Sequence, residues 1–171
     1  YVAELSQADY MRSIVQNWEE RTGKVLREYG TTGQSGTPPR LDDLERLRRP
    51  PEAGTALGEL GYGVRGTRLA AGQGVSRLAR YVDRWCPWSQ EELEWLLGYV
   101  KATWYYTLRL TNYGDPWEDL FVGIESDANY VEPRSTGGGI VCLEGDPGST
   151  HSGGRATYRR FPRPRLGSRR P

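Results

Sequence analysis

The C-terminal end of the chain carries its densest group of residues that could bind another molecule. Residues 151–171 hold seven arginines and no acidic residue, a net charge of +7. Guanidinium groups donate paired hydrogen bonds to phosphates or carboxylates, and aromatic rings stack on unpaired bases. The pattern predicts a basic arm that contacts RNA or an acidic partner surface, with a solvated tail as the remaining interpretation. Its candidate binding residues are Arg155, Tyr158, Arg159, Arg160, Phe161, Arg163, Arg165, Arg169 and Arg170.

A second basic surface is predicted on a helix over residues 75–85. Arg77, Arg80 and Arg84 follow one another at spacings of three and four residues, which places them on one helix face. The apolar residues of this segment recur on another face. This basic face supports an alternative function, that of a small nucleic-acid-binding regulator.

Residues 61–66 spell the G-x-G-x-x-G pattern of a dinucleotide-binding loop. Such a loop requires a hydrophobic strand before it and a helix after it. No such strand precedes it, and Arg68 and Gly72 weaken a following helix. We therefore predict no cofactor.

Acidic residues cluster where a hard cation could in principle bind, but they lack EF-hand spacing. Pairing with arginines explains them better, so we predict no metal site. The residues concerned are Asp115, Glu118, Asp119, Glu125 and Asp127.

Catalytic patterns are weak in this chain. His151, the only histidine, lies in a polar loop without a nucleophile pattern, and the sequence leaves open whether Cys86 and Cys142 form a disulfide. We predict a non-enzymatic protein. A hydrolase with a carboxylate pair remains a second alternative, because the fold sets the spacing of such a pair.

Composition indicates a small core and extensive contacts. Leu, Ile, Val and Phe make up 32 of 171 residues, about 19%, near the range of disordered chains, yet the net charge is only +1. That total conceals −6 over residues 1–150, within which residues 46–84 carry +5 and residues 115–146 carry −7. Blocks of opposite sign favour electrostatic contacts within the chain or with partners.

Tyrosine and tryptophan provide 17 of the 19 aromatic rings, as is common at half-buried surfaces and interfaces. No apolar run approaches the 18 residues of a membrane span, and the N-terminal residues lack a secretory pattern. We therefore predict no membrane partner. The predicted core or interface anchors are Trp85, Trp88, Trp95, Trp104 and Trp117.

The elements that must position these residues follow from periodicity and end signals. Helices are predicted at about 6–29, 41–48, 75–85 and 89–107, and strands at 120–125 and 139–144. Ser89 and Glu92 predict a capping box. Seven glycines argue against a long regular element over 53–74, and residues 100–111 fit either a helix or a strand.

The predicted fold class is α+β, mainly helical: a small helical centre, short C-terminal strands and extended Gly/Pro/Arg-rich arms. Residues 1–150 are expected to form one domain and residues 151–171 the basic arm. We expect a structural or interaction subunit of a large intracellular assembly, either a virus particle or a ribonucleoprotein. Its partners would be other protein subunits and RNA.

Overall fold

The computed structural model describes residues 2–34, 37–45, 47–111, 121–129, 136–144 and 157–159. This part of the chain is mainly helical, which confirms that aspect of the predicted fold class. Its helices are α1 (Ala8–Thr22), α2 (Pro51–Gly66), α3 (Gly72–Ala79) and α4 (Pro87–Thr103), with short 3-10 turns at Leu41–Asp43 and Leu69–Ala71. No helix among the described residues is long and apolar enough to cross a membrane.

The strands form two small sheets. They are β1 (Val2–Ser6), β2 (Thr107–Thr111), β3 (Phe121–Asn129), β4 (Thr136–Glu144) and β5 (Thr157–Arg159). β3 and β4 pair antiparallel from Phe121 opposite Glu144 to Asn129 opposite Thr136, and the second sheet has the order β1-β2-β5. The two predicted strands overlap β3 and β4. The segment 100–111 contains both structures, because α4 ends at Thr103 and β2 begins at Thr107.

Contacts divide the chain into two compact units. The helical unit is built on residues 5–108, and the second unit contains residues 2–4, the end of β2 from Arg109, β3 and β4. The predicted domain over residues 1–150 includes parts of both units, and whether they form one domain stays a prediction. Within the second unit, Arg109 lies 3.9 Å from the carboxylate of Glu4.

The core of the helical unit is made by one apolar stripe from each long helix. The buried residues recur three and four positions apart, as expected for amphipathic helices that pack on one another. They include Met11, Ile14, Val15 and Trp18 of α1, Ala53, Ala56, Leu57 and Leu60 of α2, and Leu93, Leu96, Leu97 and Val100 of α4. Of the predicted tryptophan anchors, Trp85 is buried in this core, Trp88, Trp95 and Trp104 are half-buried, and Trp117 lies outside the described residues.

Helix α1 is shorter than the predicted helix over 6–29. Gly23 adopts a left-handed conformation with φ 67°, and its N–H donates to the carbonyl of Glu19. This is a common way for a helix to end at glycine. The prediction that the helix continues beyond Gly23 is therefore wrong. Leu26 is buried, but it lies in a segment without regular secondary structure.

The prediction that residues 53–74 hold no long regular element is wrong, because α2 spans Pro51–Gly66. Proline suits the first helical position, and close packing accounts for part of the glycine content. Gly63 is buried where a Cβ atom would overlap the Sδ and Cε atoms of Met11. Glycine thus brings α2 close to α1.

The helix predicted at 41–48 is only the turn Leu41–Asp43. Other parts of the helical unit use the carbonyl groups of this region. The hydroxyl of Tyr81 donates to Pro39, the guanidinium of Arg84 to Leu41, and the N–H of Trp85 to Leu47. These tertiary bonds replace the hydrogen bonds that a helix would form.

The predicted capping box at Ser89 and Glu92 is also wrong. Helix α4 begins earlier, with Pro87 at its first position, and it has no side-chain cap. The Ser89 hydroxyl lies 3.3 Å from the Cys86 sulfur, and Glu92 is buried within the helix. Similarly, α3 runs from Gly72 to Ala79 rather than over 75–85.

Residues 24–34, here called the strap, lie along α4. The N–H of Tyr29 donates to the carbonyl of Gly98, and the Tyr29 ring stacks on Trp95 with centroids 3.7 Å apart. The indole N–H of Trp95 donates to the carbonyl of Thr31 at 3.1 Å. The strap is therefore held by backbone bonds and aromatic stacking together.

Glu19 joins α1, the strap and α4. Its carboxylate accepts the N–H of Leu26 at 2.8 Å and the ammonium of Lys101 at 2.6 Å. Lys101 also donates to the carbonyl of Leu26. Burial acts to raise the pKa of Glu19, but the hydrogen bonds from Lys101 and Leu26 and the Lys101 charge outweigh it, so the pKa lies below its ordinary value of 4.5.

Replacement of Glu19 by glutamine should make the protein less sensitive to acid. A carboxyl with a lowered pKa in the folded state stabilises the protein above its unfolded pKa, and this stabilisation is lost as the pH falls through the folded value. The difference in free energy of unfolding between wild type and Glu19→Gln should therefore be full above about pH 4.5 and shrink below it. Urea titrations across this range measure it. The exposed variant Glu20→Gln controls for net charge; an equal response of both variants would refute the role of Glu19.

Candidate functional site

Most of the predicted basic arm lies outside the described residues. Tyr158 and Arg159 belong to β5, and their assignment as binding residues stays a prediction. The arm residues that the structure does not describe are Arg155, Arg160, Phe161, Arg163, Arg165, Arg169 and Arg170.

The prediction that Arg77, Arg80 and Arg84 share one helix face is wrong, because α3 ends at Ala79 and only Arg77 lies within it. Internal contacts also occupy part of this basic group. Arg77 donates to the carboxylate of Glu92, whose side chain is fully buried, and its guanidinium lies 5.5 Å from the centre of the Trp88 ring. A buried carboxylate needs such a partner, because an unpaired charge in the interior is very costly. Arg77 therefore has a structural role, although its side chain remains 29% exposed.

Arg84 and Arg80 differ in whether contacts within the helical unit hold their side chains. Arg84 donates to the carbonyl of Leu41 and lies 3.8 Å from the exposed carboxylate of Asp42. Arg80 follows the last residue of α3 and is exposed. Of the three residues predicted for this face, only Arg80 has no ion pair within the described part of the chain.

Arg68 is a third arginine with a structural role. It is 2% exposed, and its guanidinium donates to the carbonyls of Thr103, Trp104 and Tyr106 at 3.0, 2.7 and 2.7 Å. These carbonyls lie at the C-terminal end of α4, where the helix dipole favours a cation. Arg68 thus caps α4 from inside the helical unit.

The glycine pattern at 61–66 lies entirely in α2. It therefore has no strand–turn–helix geometry, and its backbone N–H groups are not arranged to hold a pyrophosphate. Gly63 packs on Met11, and a Cβ at Gly66 would overlap the side-chain amide of Gln7. These two glycines allow close contacts of α2 with α1 and its N-cap residue.

The remaining candidate residues are only partly within the described chain. No group of three or more His, Cys, Asp or Glu side chains that the structure describes could hold a metal ion. Cys86 is a buried free thiol. Asp115, Glu118, Asp119 and His151 lie outside the described residues, and Glu125, Asp127 and Cys142 belong to β3 and β4.

An open cleft lies beside the start of α2. Residues 47–50 have no regular secondary structure, and Pro50 and Pro51 lead directly into the helix. The bond from Trp85 N–H to Leu47 carbonyl, 3.3 Å, holds this segment against the turn after α3. The cleft has a volume of about 520 Å³ and is lined by Leu47, Arg48, Arg49, Pro51, Val82 and Asp83.

Two arginines give this cleft its basic character. Arg48 is exposed, while the half-buried Arg49 lies over the first turn of α2, with its Nε and Nη2 atoms 2.8 and 2.6 Å from the position of a Cβ at Gly54. The Nε atom of Arg49 is buried and has no hydrogen-bond partner among the described residues. Neither arginine forms an ion pair with a described carboxylate.

This arrangement can bind an anion with an apolar part. Two guanidinium groups without an ion-pair partner in the described part of the chain attract phosphate or carboxylate, and Leu47, Pro51 and Val82 provide apolar contact surface. Both arginines belong to the +5 stretch of residues 46–84, but neither is among the predicted binding residues. The Arg-Arg-Pro-Pro run of residues 48–51 is the sequence signal that could have identified this site. It places two cations next to a backbone that proline restrains and next to the N-terminus of a helix.

Comparisons with protein-family models, with curated proteins and with solved structures found no match to this chain.

Proposed function

We propose that the protein is a non-enzymatic structural or interaction subunit of a large intracellular assembly, either a virus particle or a ribonucleoprotein. The observation that carries the proposal is the cleft pair Arg48 and Arg49, which has no carboxylate partner among the described residues. The acids Glu19, Glu92 and Glu94, by contrast, are each paired with a cation. The helical unit thus satisfies those buried or half-buried acids internally and leaves cations available for partners.

The C-terminal arm supplies the larger share of positive charge. Residues 151–171 carry seven arginines with Tyr158 and Phe161 interleaved. This composition suits phosphate neutralisation combined with stacking on unpaired bases. We therefore favour RNA as the partner of the arm, with an acidic protein surface as the competing outcome.

Replacement of all seven arm arginines by glutamine tests this function in the full-length chain. Binding of single-stranded RNA should weaken strongly at low salt, and the slope of log affinity against log salt should become shallower by up to about 5, at about 0.7 per released phosphate contact. Fluorescence anisotropy with a labelled oligonucleotide across a salt series measures both quantities.

The matched control replaces the same seven arginines by lysine. This variant keeps the charge, so it should retain most of the salt slope while losing paired guanidinium contacts. Unchanged RNA affinity in the glutamine variant would sink the RNA version of the proposal. Negligible RNA binding by every variant, with assembly lost only in the glutamine variant, would instead identify an acidic protein partner.

A further inference from the structure

We propose that the cleft between residues 47–51 and 82–83 binds one phosphorylated ribonucleoside unit of single-stranded RNA. In this assignment Arg48 and Arg49 hold the phosphate, and Asp83 accepts a hydrogen bond from the ribose. The inference rests on the proposed function in taking RNA as the partner, and it adds a second, defined site to the arm.

The phosphate assignment follows from the two arginines. A guanidinium that is partly withdrawn from water and has no carboxylate nearby gains most from a doubly hydrogen-bonded oxyanion. Arg49 is half-buried with its Nε and Nη2 packed over Gly54, it lines the cleft beside Arg48, and it forms no ion pair with a described carboxylate. The start of α2 at Pro51 adds a positive helix end on the same side of the cleft.

The size and lining of the cleft fit a sugar and a base. A volume of about 520 Å³ lies within the range of about 300–1,000 Å³ that is usual for small-molecule sites. Leu47, Pro51 and Val82 form apolar walls against which a base can pack. The cleft is open at the surface, so the chain of a polynucleotide can continue on both sides.

Asp83 distinguishes RNA from the other polyanions. Its exposed carboxylate lines the same cleft and accepts hydrogen bonds without donating any. The ribose 2′-hydroxyl is a donor that DNA lacks. The carboxylate side chains of an acidic peptide, in contrast, offer Asp83 no hydrogen-bond donor.

The test uses the full-length chain and labelled ten-nucleotide oligouridylate, with the DNA counterpart in parallel. Arg48→Gln/Arg49→Gln should weaken RNA binding by about tenfold or more, because two charge-assisted contacts are lost. The control Arg21→Gln/Arg65→Gln removes the same charge at exposed positions of α1 and α2. Equal affinities of the two double variants would overturn the site. Arg48→Gln alone leaves Arg49 packed on Gly54 and serves if the double variant folds poorly.

Asp83→Ala tests the sugar contact, because alanine has no side-chain acceptor, whereas asparagine would keep one. Wild type should prefer RNA over DNA, and the variant should lose this preference while keeping its affinity for DNA. An equal affinity of wild type for RNA and DNA would overturn the role of Asp83. Uridine monophosphate that displaces the oligouridylate at the same nucleotide concentration would assign the cleft to free nucleotides. Binding of poly-glutamate that is lost in the cleft variant would assign the cleft to an acidic protein. Either outcome would overturn RNA as the occupant.

The cleft inference and the proposed RNA-binding function of the arm can be refuted independently of each other. If the arm variant loses RNA binding while the cleft variant retains it, the cleft inference fails and the proposed function stands. If only the cleft variant loses binding, the cleft inference stands and the arm is not the RNA-binding segment.

Discussion

Replacement of Arg68 by alanine is expected to lower the free energy of unfolding by about 3–5 kcal/mol. The change leaves the carbonyls of Thr103, Trp104 and Tyr106 without their buried donor and opens a cavity where the side chain was. Each buried polar group that loses its partner costs about 1–3 kcal/mol. A domain of ordinary stability loses a large fraction of its margin by such a change.

Three further variants separate the causes. Arg68→Met keeps most of the volume but donates no hydrogen bonds, so it should be nearly as unstable as alanine. Arg68→Lys keeps the charge with fewer well-directed donors and should lie between methionine and wild type. Arg65→Ala, at an exposed position near the end of α2, should change stability by about 0.5 kcal/mol or less.

Urea unfolding followed by circular dichroism compares the four proteins with wild type. If Arg68→Ala does not fold at all, Arg68→Lys still provides a measurable value. Stability of Arg68→Met close to wild type would show that the side chain contributes volume alone. Stability of Arg68→Ala equal to that of Arg65→Ala would refute any structural role of Arg68.

Local signals in the sequence predicted the elements whose stability is itself local. The apolar stripe of α1 and the leucines of α4 predicted two core helices, because their spacing matches the helical period. Helix α2 was missed because glycine was judged by its helix propensity. In the structure Gly63 is required by the approach of Met11, a tertiary contact that outweighs a propensity cost of about 1 kcal/mol.

For the charged residues of the candidate site, too, local sequence signals did not reveal the tertiary contacts. The periodicity that placed Arg77, Arg80 and Arg84 together on a helix could not show that Glu92 and the carbonyl of Leu41 bind two of them. A partner 15 or 43 residues away is chosen by the fold. Arg48 and Arg49 have no helical periodicity, so their joint position in the cleft became apparent only when residues 47–51 and 82–83 were seen side by side.

Alanine substitutions at two helical glycines are expected to change stability in opposite directions. A Cβ at Gly98 in α4 would overlap the carbonyl oxygen of Arg27 and lie 2.5 Å from Cδ2 of Tyr29. The strap must then move away from α4, which costs about 1–3 kcal/mol by overpacking, less about 1 kcal/mol gained in helix propensity. At Gly58 in α2 no atom lies within 4 Å of the added Cβ, so Gly58→Ala should gain about 1 kcal/mol.

The loss at Gly98 should be localised to the strap. Displacement of the strap separates the stacked rings of Tyr29 and Trp95 and breaks the bond from Tyr29 N–H to the Gly98 carbonyl. Near-ultraviolet circular dichroism should therefore lose aromatic signal in Gly98→Ala and keep it in Gly58→Ala. Hydrogen exchange should quicken at the amide of Tyr29, while the amides of α1 stay protected. A stabilised Gly98→Ala protein with its aromatic signal intact would mean that the strap does not pack on α4. The contacts of Glu19 with Leu26 and Lys101, which depend on the same packing, would then be refuted as well.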